Sequence, residues 1–332
     1  MAKTKATPKA ASSLSPEDVR RLHRWVLLAR TIDERMWVLN RAGKAPFVIP
    51  CRGQEAAQVG WGAALRDTDF VVPYYRDLGV ALTRGYTARQ AFLALLGKEE
   101  DVSSGGRQMP GHYSWAAHRV ISGSSVVTTQ VLHATGIALA SRLRGEDDVA
   151  AVALGEGSTS QGDFHEALNW ASIHKLPVLF VIENNGYAIS EPQCKEMAVQ
   201  DVAERALGYA MAGVTVDGTD LFACYEATYQ AAERARRGDG PTLIELKMYR
   251  ILPHSSDDDD RTYRSREEVE AHKDQDPVEI LNRQVVERGL MTAEDIAAVK
   301  AELQAEVDEA IAYAEAAPYP SADDMFRHVY AD

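Results

Sequence analysis

The chain is poor in cysteine, in basic charge and in long apolar runs, and each shortage removes a class of function. Three cysteines in 332 residues, Cys51, Cys194 and Cys224, are too few and too scattered for a disulfide framework or a zinc site. They read as reduced thiols of a reducing compartment. The 36 Lys and Arg against 49 Asp and Glu leave a formal charge of −13. Unspecific binding to nucleic acid or anionic lipid needs a basic face, so neither is expected as a partner. No segment approaches the ~18 consecutive apolar residues of a membrane span. The opening MAKTKATPKAASS carries Lys3, Lys5 and Lys9 without the apolar stretch of a secretory signal, and residues 1–14 read as a flexible tail on a cytoplasmic protein. No internal repeat is visible. What is present, 45% hydrophobic and 8% aromatic residues, is ordinary for a chain that buries a large core.

Ser15-Pro16-Glu17-Asp18 is a helix start, with Ser at the N-cap, Pro at N1 and an acid at N3. The spacing of Leu22, Val26, Leu27, Ala29, Ile32 and Met36 gives that helix one buried face. Helical and loop segments then alternate up to residue 120. Val131 to Arg144 reads as a helix rich in small residues, with Gly136 and Ala140 four apart and suited to close helix approach. Val149–Leu154 and Val178–Ile182 are short apolar runs bounded by turn residues, the pattern of strands buried on both faces of a parallel sheet. A helix from Gly162 to His174 joins them, residues 220–237 are helical again, and Thr242–Leu246 is another strand. Strands alternating with helices of this length imply an α/β fold, a doubly wound parallel sheet with helices on both faces. The reading is one domain over 15–332, with helical extensions at its N-terminus and, from 265 to 332, at its C-terminus. His254 to Arg264 is a polar loop whose four aspartates, Asp257 to Asp260, repel one another and predict a flexible, solvated segment. Thr292 and Asp295 form another capping box.

In a parallel α/β sheet ligands gather at the carboxyl ends of strands. Gly155-Glu156-Gly157-Ser158 follows the strand ending at Leu154, and Glu183-Asn184-Asn185-Gly186-Tyr187 follows the strand ending at Ile182. A short crossover makes those strands neighbours, so Glu156 and Asn185 project side by side. A carboxylate, an amide oxygen and the carbonyl of Tyr187 make half of the shell of about six oxygens that Mg²⁺ completes with phosphate and water. The flanking glycines let the backbone approach a phosphorylated ligand, and the next helix aims its first amides at the same place. Singly, Gly-x-Gly or Asn-Asn-Gly is only a turn. Together, at adjacent strand ends, they match the signature of a diphosphate site.

With these motifs stand Tyr75-Arg76-Asp77, Gly106-Arg107-Gln108-Met109-Pro110, His112-Tyr113, and Tyr249-Arg250-Ile251 leading to His254-Ser255. On them the sequence, from residue 20 to 330, resembles the α subunits of thiamine-diphosphate-dependent 2-oxo acid dehydrogenases. Gly106–Pro110 and the Glu of Gly-Glu-Gly resemble the branched-chain type more than the pyruvate type, which stays open as the alternative. The resemblance implies oxidative decarboxylation of a 2-oxo acid such as 3-methyl-2-oxobutanoate and acyl transfer to a lipoyl group. The implied partners are a β subunit, in a heterotetramer of two α and two β chains, and the lipoyl domain of the acyltransferase component. It further implies that Glu156, Asn185 and Tyr187 hold Mg²⁺, and that Tyr75, Arg76 and His254 surround the diphosphate and reaction centre. Gly155, Gly157 and Ser158 belong to the cofactor loop, and Ser125 and Val127 touch the aminopyrimidine or the substrate. His254 is the candidate catalytic group, as proton donor or diphosphate partner. The loop around it is expected to order with cofactor and to help dock the lipoyl domain, and Ser255 and Ser265 align with phosphorylation sites of mitochondrial relatives. In a eukaryote the compartment would be the mitochondrial matrix.

The chain departs from the family pattern at two places. Some branched-chain relatives have arginine beside the phosphates where this chain has Glu183, and their His-His pair is Pro253-His254 here. From another class, a non-catalytic nucleotide- or ligand-binding α/β subunit remains open; it predicts no dependence on Mg²⁺ and diphosphate.

Overall fold

Ser15 accepts a hydrogen bond from the backbone of Asp18, Asp18 reciprocates, and this capping box starts α1 (Pro16–Arg41). The six apolar positions read as its inner face are all buried. The computed structural model describes residues 9–327 and 329, and its further elements follow in order. They are α2 (Glu55–Ala63), β1 (Phe70–Val72), α3 (Leu78–Thr83), α4 (Ala88–Leu95), α5 (Thr129–Arg144), β2 (Ala150–Gly155), α6 (Gly162–Ile173) and β3 (Val178–Asn184). Then come β4 (Tyr187–Ala188), β5 (Glu191–Pro192), α7 (Gln193–Glu196), β6 (Ala212–Asp217), α8 (Leu221–Arg236), β7 (Thr242–Lys247), α9 (Arg266–Ala271), α10 (Pro277–Glu287) and α11 (Ala293–Ala316).

The five-stranded sheet has the order β1-β2-β3-β7-β6, and every pairing is parallel. Strand residues alternate between two cores. Val152, Leu154, Phe180 and Ile182 face Val131, Ala134, Phe164 and Leu168 of α5 and α6. Ala151, Ala153, Leu179 and Val181 face Ala57, Trp61, Cys224 and Ala231 of α2 and α8. This is the expected doubly wound arrangement. A third core joins α1 and α4 to α10 and α11, so the C-terminal helices pack back on the N-terminal one.

Two strands of the five-stranded sheet escaped the pattern reading, which had only helices and loops before residue 120. β1 has three residues, too short for a period to show. β6 is an edge strand whose residues alternate between half-buried and exposed, which gives no apolar run. The tail also differs. Residues 9–14 are docked rather than flexible: the Ala11 amide donates to Glu226 Oε2 at 2.6 Å and Lys9 pairs with Asp18 at 2.9 Å. Residues 1–8 lie outside the described residues. Gly136 and Ala140 point outward, and a Cβ at Gly136 would meet nothing within 4 Å, so among the described residues no helix uses that small-residue face. Among the described residues no helix is long and apolar enough to cross a membrane.

Candidate functional site

β2 and β3 are direct neighbours, with Leu154 beside Ile182 and Gly155 beside Glu183. The residues just past these pairs therefore emerge at one level. Glu156 opens a 3₁₀ turn, Glu156–Ser160, and is 1% exposed. Its Oε2 accepts from the Asn185 amide at 3.2 Å, and its Oε1 is buried without any partner. Burial raises the pKa of this carboxyl, against the amides and the charges of Arg250 and Arg76 that lower it. Asn185 Oδ1 accepts from the Tyr187 amide at 3.3 Å, and the Tyr187 carbonyl accepts from Arg250 Nη1 at 3.2 Å. Asn184, by contrast, is structural: its amide donates to Glu245 at 2.7 Å and to Gln193 at 2.9 Å. The structure thus links Glu156 to Asn185 and Asn185 to the Tyr187 amide, while the Tyr187 carbonyl is turned to Arg250. No group of three His, Cys, Asp or Glu able to hold a metal exists among the described residues.

The second cluster forms where the turn after β1 meets the loop after β7. Arg76 is 2% exposed, and its guanidinium donates to Pro50 O at 2.6 Å and to His254 Nδ1 at 3.2 Å. The surface ion pair with Asp77 that is its ordinary alternative is not formed. Arg250, buried to 1%, donates to Ile189 O at 2.6 Å and to the Tyr263 hydroxyl at 2.8 Å. Among the described residues neither arginine has a carboxylate within ion-pair distance, and the Nε of each is buried without a partner. Two buried cations without a counter-ion make this corner receptive to an anion. His254 stands between them, its ring edge-on to Tyr75 with centroids 6.0 Å apart. Burial first, then Arg76 and Arg250, pull its pKa down to about 3. The imidazole is therefore neutral. Its Nδ1 accepts from Arg76, which leaves the proton on Nε2 to be donated outward.

Ser125 and Val127 lie on the adjoining turn. Ser125 Oγ meets His112 Nε2 at 2.5 Å, and Thr128 Oγ1 donates to Ser158 O at 2.8 Å, tying this turn to the Glu156 turn. The glycines separate in role. At Gly155 a Cβ would meet nothing, so the strand end opens onto free space. At Gly157 a Cβ would lie 2.4 Å from Ala188 Cβ. Packing against β4 alone requires glycine at this position.

The aspartate run is not the repelling loop its composition suggests. Asp258 accepts from the His254 amide and the Tyr263 hydroxyl, Asp259 pairs with Arg261 at 2.7 Å, and Asp260 pairs with Arg264 at 2.6 Å. Ser256 Oγ receives the Val48 amide at 3.1 Å. Basic and aromatic partners a few residues downstream neutralise the run. Ser255 is buried, and Ser265 caps α9. Glu183, expected beside the phosphates, is fully buried on the α2 side of the sheet and accepts from Trp61 and Gln58. Arg250 and His112 were not recognised as site residues. Their motifs were visible in sequence, but their roles come from burial and from contacts across the chain.

Fold and geometry define an α/β protein that gathers a buried carboxylate, a side-chain amide and two arginines without a carboxylate partner at the carboxyl ends of a parallel sheet. The chain belongs to the dehydrogenase E1 component family, whose model matches residues 23–323 and whose members depend on thiamine diphosphate. It is 52% identical over 322 residues to a 2-oxoisovalerate dehydrogenase subunit alpha of Bacillus subtilis, covering 97% of this chain and 98% of the relative. It is 39% identical to a 3-methyl-2-oxobutanoate dehydrogenase subunit alpha of Mycobacterium tuberculosis, covering 96% and 84%. A pyruvate dehydrogenase E1 component subunit alpha of Bacillus subtilis is 36% identical, covering 97% and 84%.

Proposed function

We propose that this chain is the α subunit of a branched-chain 2-oxo acid dehydrogenase acting on 3-methyl-2-oxobutanoate, and that it holds the Mg²⁺–diphosphate half of the thiamine diphosphate site. The single observation that carries the site is the orphaned Glu156 Oε1, buried beside Asn185 in a carboxyl that feels the charges of Arg250 and Arg76. A buried carboxylate oxygen without a partner is costly in a folded protein unless something else completes it. A small, hard cation does so, and the set of carboxylate, amide and carbonyl oxygens suits Mg²⁺.

In this reading Glu156, Asn185 and Tyr187 hold the metal, Arg76 and Arg250 neutralise phosphate charge, and Tyr75 walls the site beside His254. Gly155 and Ser158 border the cofactor, and Ser125 and Val127 face its pyrimidine end or the substrate. When bound, thiamine diphosphate supplies the electron sink for loss of carbon dioxide from a 2-oxo acid. The chain's own contribution is to fix that group and exclude water. His254, kept neutral at physiological pH, offers its Nε2 proton to the diphosphate or to the substrate carboxylate.

A partner is built into the surface. Val126, 69% exposed, and Val127 stand at the rim of the site, and α5 continues from them with Leu143 at 79%. The adjacent α6 exposes Trp170 at 48% and Ile173 at 64%. Such an apolar face marks an interface. Because Val126 and Val127 adjoin the proposed cofactor-binding turn, we assign these exposed residues to the β chain, which would bring the other half of the site in a two-α, two-β heterotetramer. We assign the loop around His254 to docking of the lipoyl domain of the acyltransferase component.

Co-expression with a candidate β chain tests the whole reading. Decarboxylation that requires both chains, thiamine diphosphate and Mg²⁺, and that favours 3-methyl-2-oxobutanoate over pyruvate, is expected. Preference for pyruvate would move the chain to the other branch of the family. Activity independent of cofactor or metal would refute the site.

A further inference from the structure

Glu183 has no place in the site as described, yet it is one of the most completely bonded acids in the fold. Its Oε1 accepts from Trp61 Nε1 at 2.9 Å, and its Oε2 accepts from Gln58 Nε2 and the Tyr74 hydroxyl, each at 3.1 Å. The same Gln58 amide donates to the carbonyl of Arg76 at 3.0 Å, while Gln58 Oε1 accepts from the Gly79 amide at 3.1 Å. One side chain of α2 therefore grips both ends of the segment from Arg76 to Gly79. The approach is tight enough to require glycine, since a Cβ at Gly79 would stand 2.8 Å from the Gln58 Cβ. Asp77 Oδ2 accepts from the Tyr74 amide at 2.9 Å and closes the turn. Burial, and after it the neighbouring Glu183 charge, push the Asp77 carboxyl well up. Gln58, Glu183 and Asp77 are all fully buried.

We propose that Gln58 and Glu183 are positioning residues: they fix the Tyr75–Arg76 turn and thereby set the affinity for thiamine diphosphate. The inference rests on the functional reading above. A guanidinium pairs phosphate oxygens through a planar fork, which tolerates little displacement of its backbone anchor. Arg76 is anchored from both sides, through its carbonyl to Gln58 and through its guanidinium to Pro50 O. Gln58→Met leaves Arg76 O, Gly79 N and Glu183 Oε2 each one partner short. Glu183→Gln turns one of the two acceptor oxygens into an NH2, which opposes the donor of either Trp61 or Gln58.

The test uses the complex of this chain with its β partner. Binding of thiamine diphosphate in the presence of Mg²⁺ is titrated calorimetrically, and activity is followed against cofactor concentration. Gln58→Met and Glu183→Gln are each expected to raise the cofactor Kd and KM about tenfold or more, with kcat at saturating cofactor within about threefold of the parent. Should those variants fail to fold, Tyr74→Phe keeps the ring, removes only the hydroxyl, and is expected to raise Kd about threefold with the same unchanged kcat. A folded variant complex that binds cofactor with the parent Kd, or that loses kcat alone, overturns the inference. A parent complex that binds no thiamine diphosphate at all overturns the functional reading itself, and this inference with it.

Discussion

The two ends of the central sheet use the same residue types to opposite effect. At the amino end, buried Asp69 accepts from both Nη atoms of Arg236, from the Arg66 amide at 2.7 Å and from the Val149 amide at 2.9 Å. Arg236 also reaches Glu233. At the carboxyl end, Arg76 and Arg250 are buried as deeply but meet only carbonyls, an imidazole and a hydroxyl, and Glu156 keeps one oxygen unpaired. Charge buried without compensation is costly. One end is completed by the fold, and the other is left for a ligand to complete. The difference separates a structural ion cluster from a site more sharply than residue identity does.

Substitutions at the two ends should break in opposite ways. Glu156→Gln has the largest expected effect, a loss of cofactor-dependent activity of more than about 100-fold, since a direct metal ligand outranks its supporting partners. Its thermal stability without cofactor should hold or rise, because a costly buried carboxyl is gone; a clear drop in melting temperature would mean that Glu156 is part of the scaffold. Asp69→Asn reverses this. Leaving Arg236 buried without its acid should cost about 3–5 kcal/mol in urea unfolding. Cofactor affinity of the folded fraction should be unchanged, and a weakened Kd would blur the distinction drawn between the ends.

The smallest effect is one of pH. His254 has a folded-state pKa near 3, below the ~6.5 of a free histidine. The unfolded chain therefore takes up the proton first. Its contribution to stability is complete above about pH 6.5 and is lost progressively as pH falls toward 3. Cofactor-free protein should show a falling melting temperature over the acid side of that range, and His254→Gln should flatten the fall. Part of the slope should survive in that variant, because burial also lowers the pKa of His23, whose Nε2 is bonded to Asn282 at 2.9 Å. An identical slope in the two proteins would place His254 in a solvated, unperturbed environment.

Much of this was legible in the sequence where local pattern and global fold agree. The strands ending at Leu154 and Ile182 are apolar because both sheet faces are covered, and their shared level follows from a single intervening helix. Glu156 and Asn185 could therefore be paired before any coordinates. Short or edge elements such as β1 and β6 carry too few buried positions to announce themselves. The aspartate loop misled because its partners, Arg261, Tyr263 and Arg264, act through a turn that composition does not encode. The close approach of Ala188 to Gly157 and the bracket formed by Gln58 depend on contacts that no motif records. Contacts made across the chain, not chemistry of residue type, were the missing information.

The most direct measurement is to load the complex with thiamine diphosphate and Mn²⁺, in place of Mg²⁺, and locate the metal by anomalous diffraction. The account predicts one peak within about 2.0–2.3 Å of Glu156 Oε1, Asn185 Oδ1 and the Tyr187 carbonyl. A metal bound elsewhere, with Glu156 Oε1 still unpaired beside a bound cofactor, would contradict it.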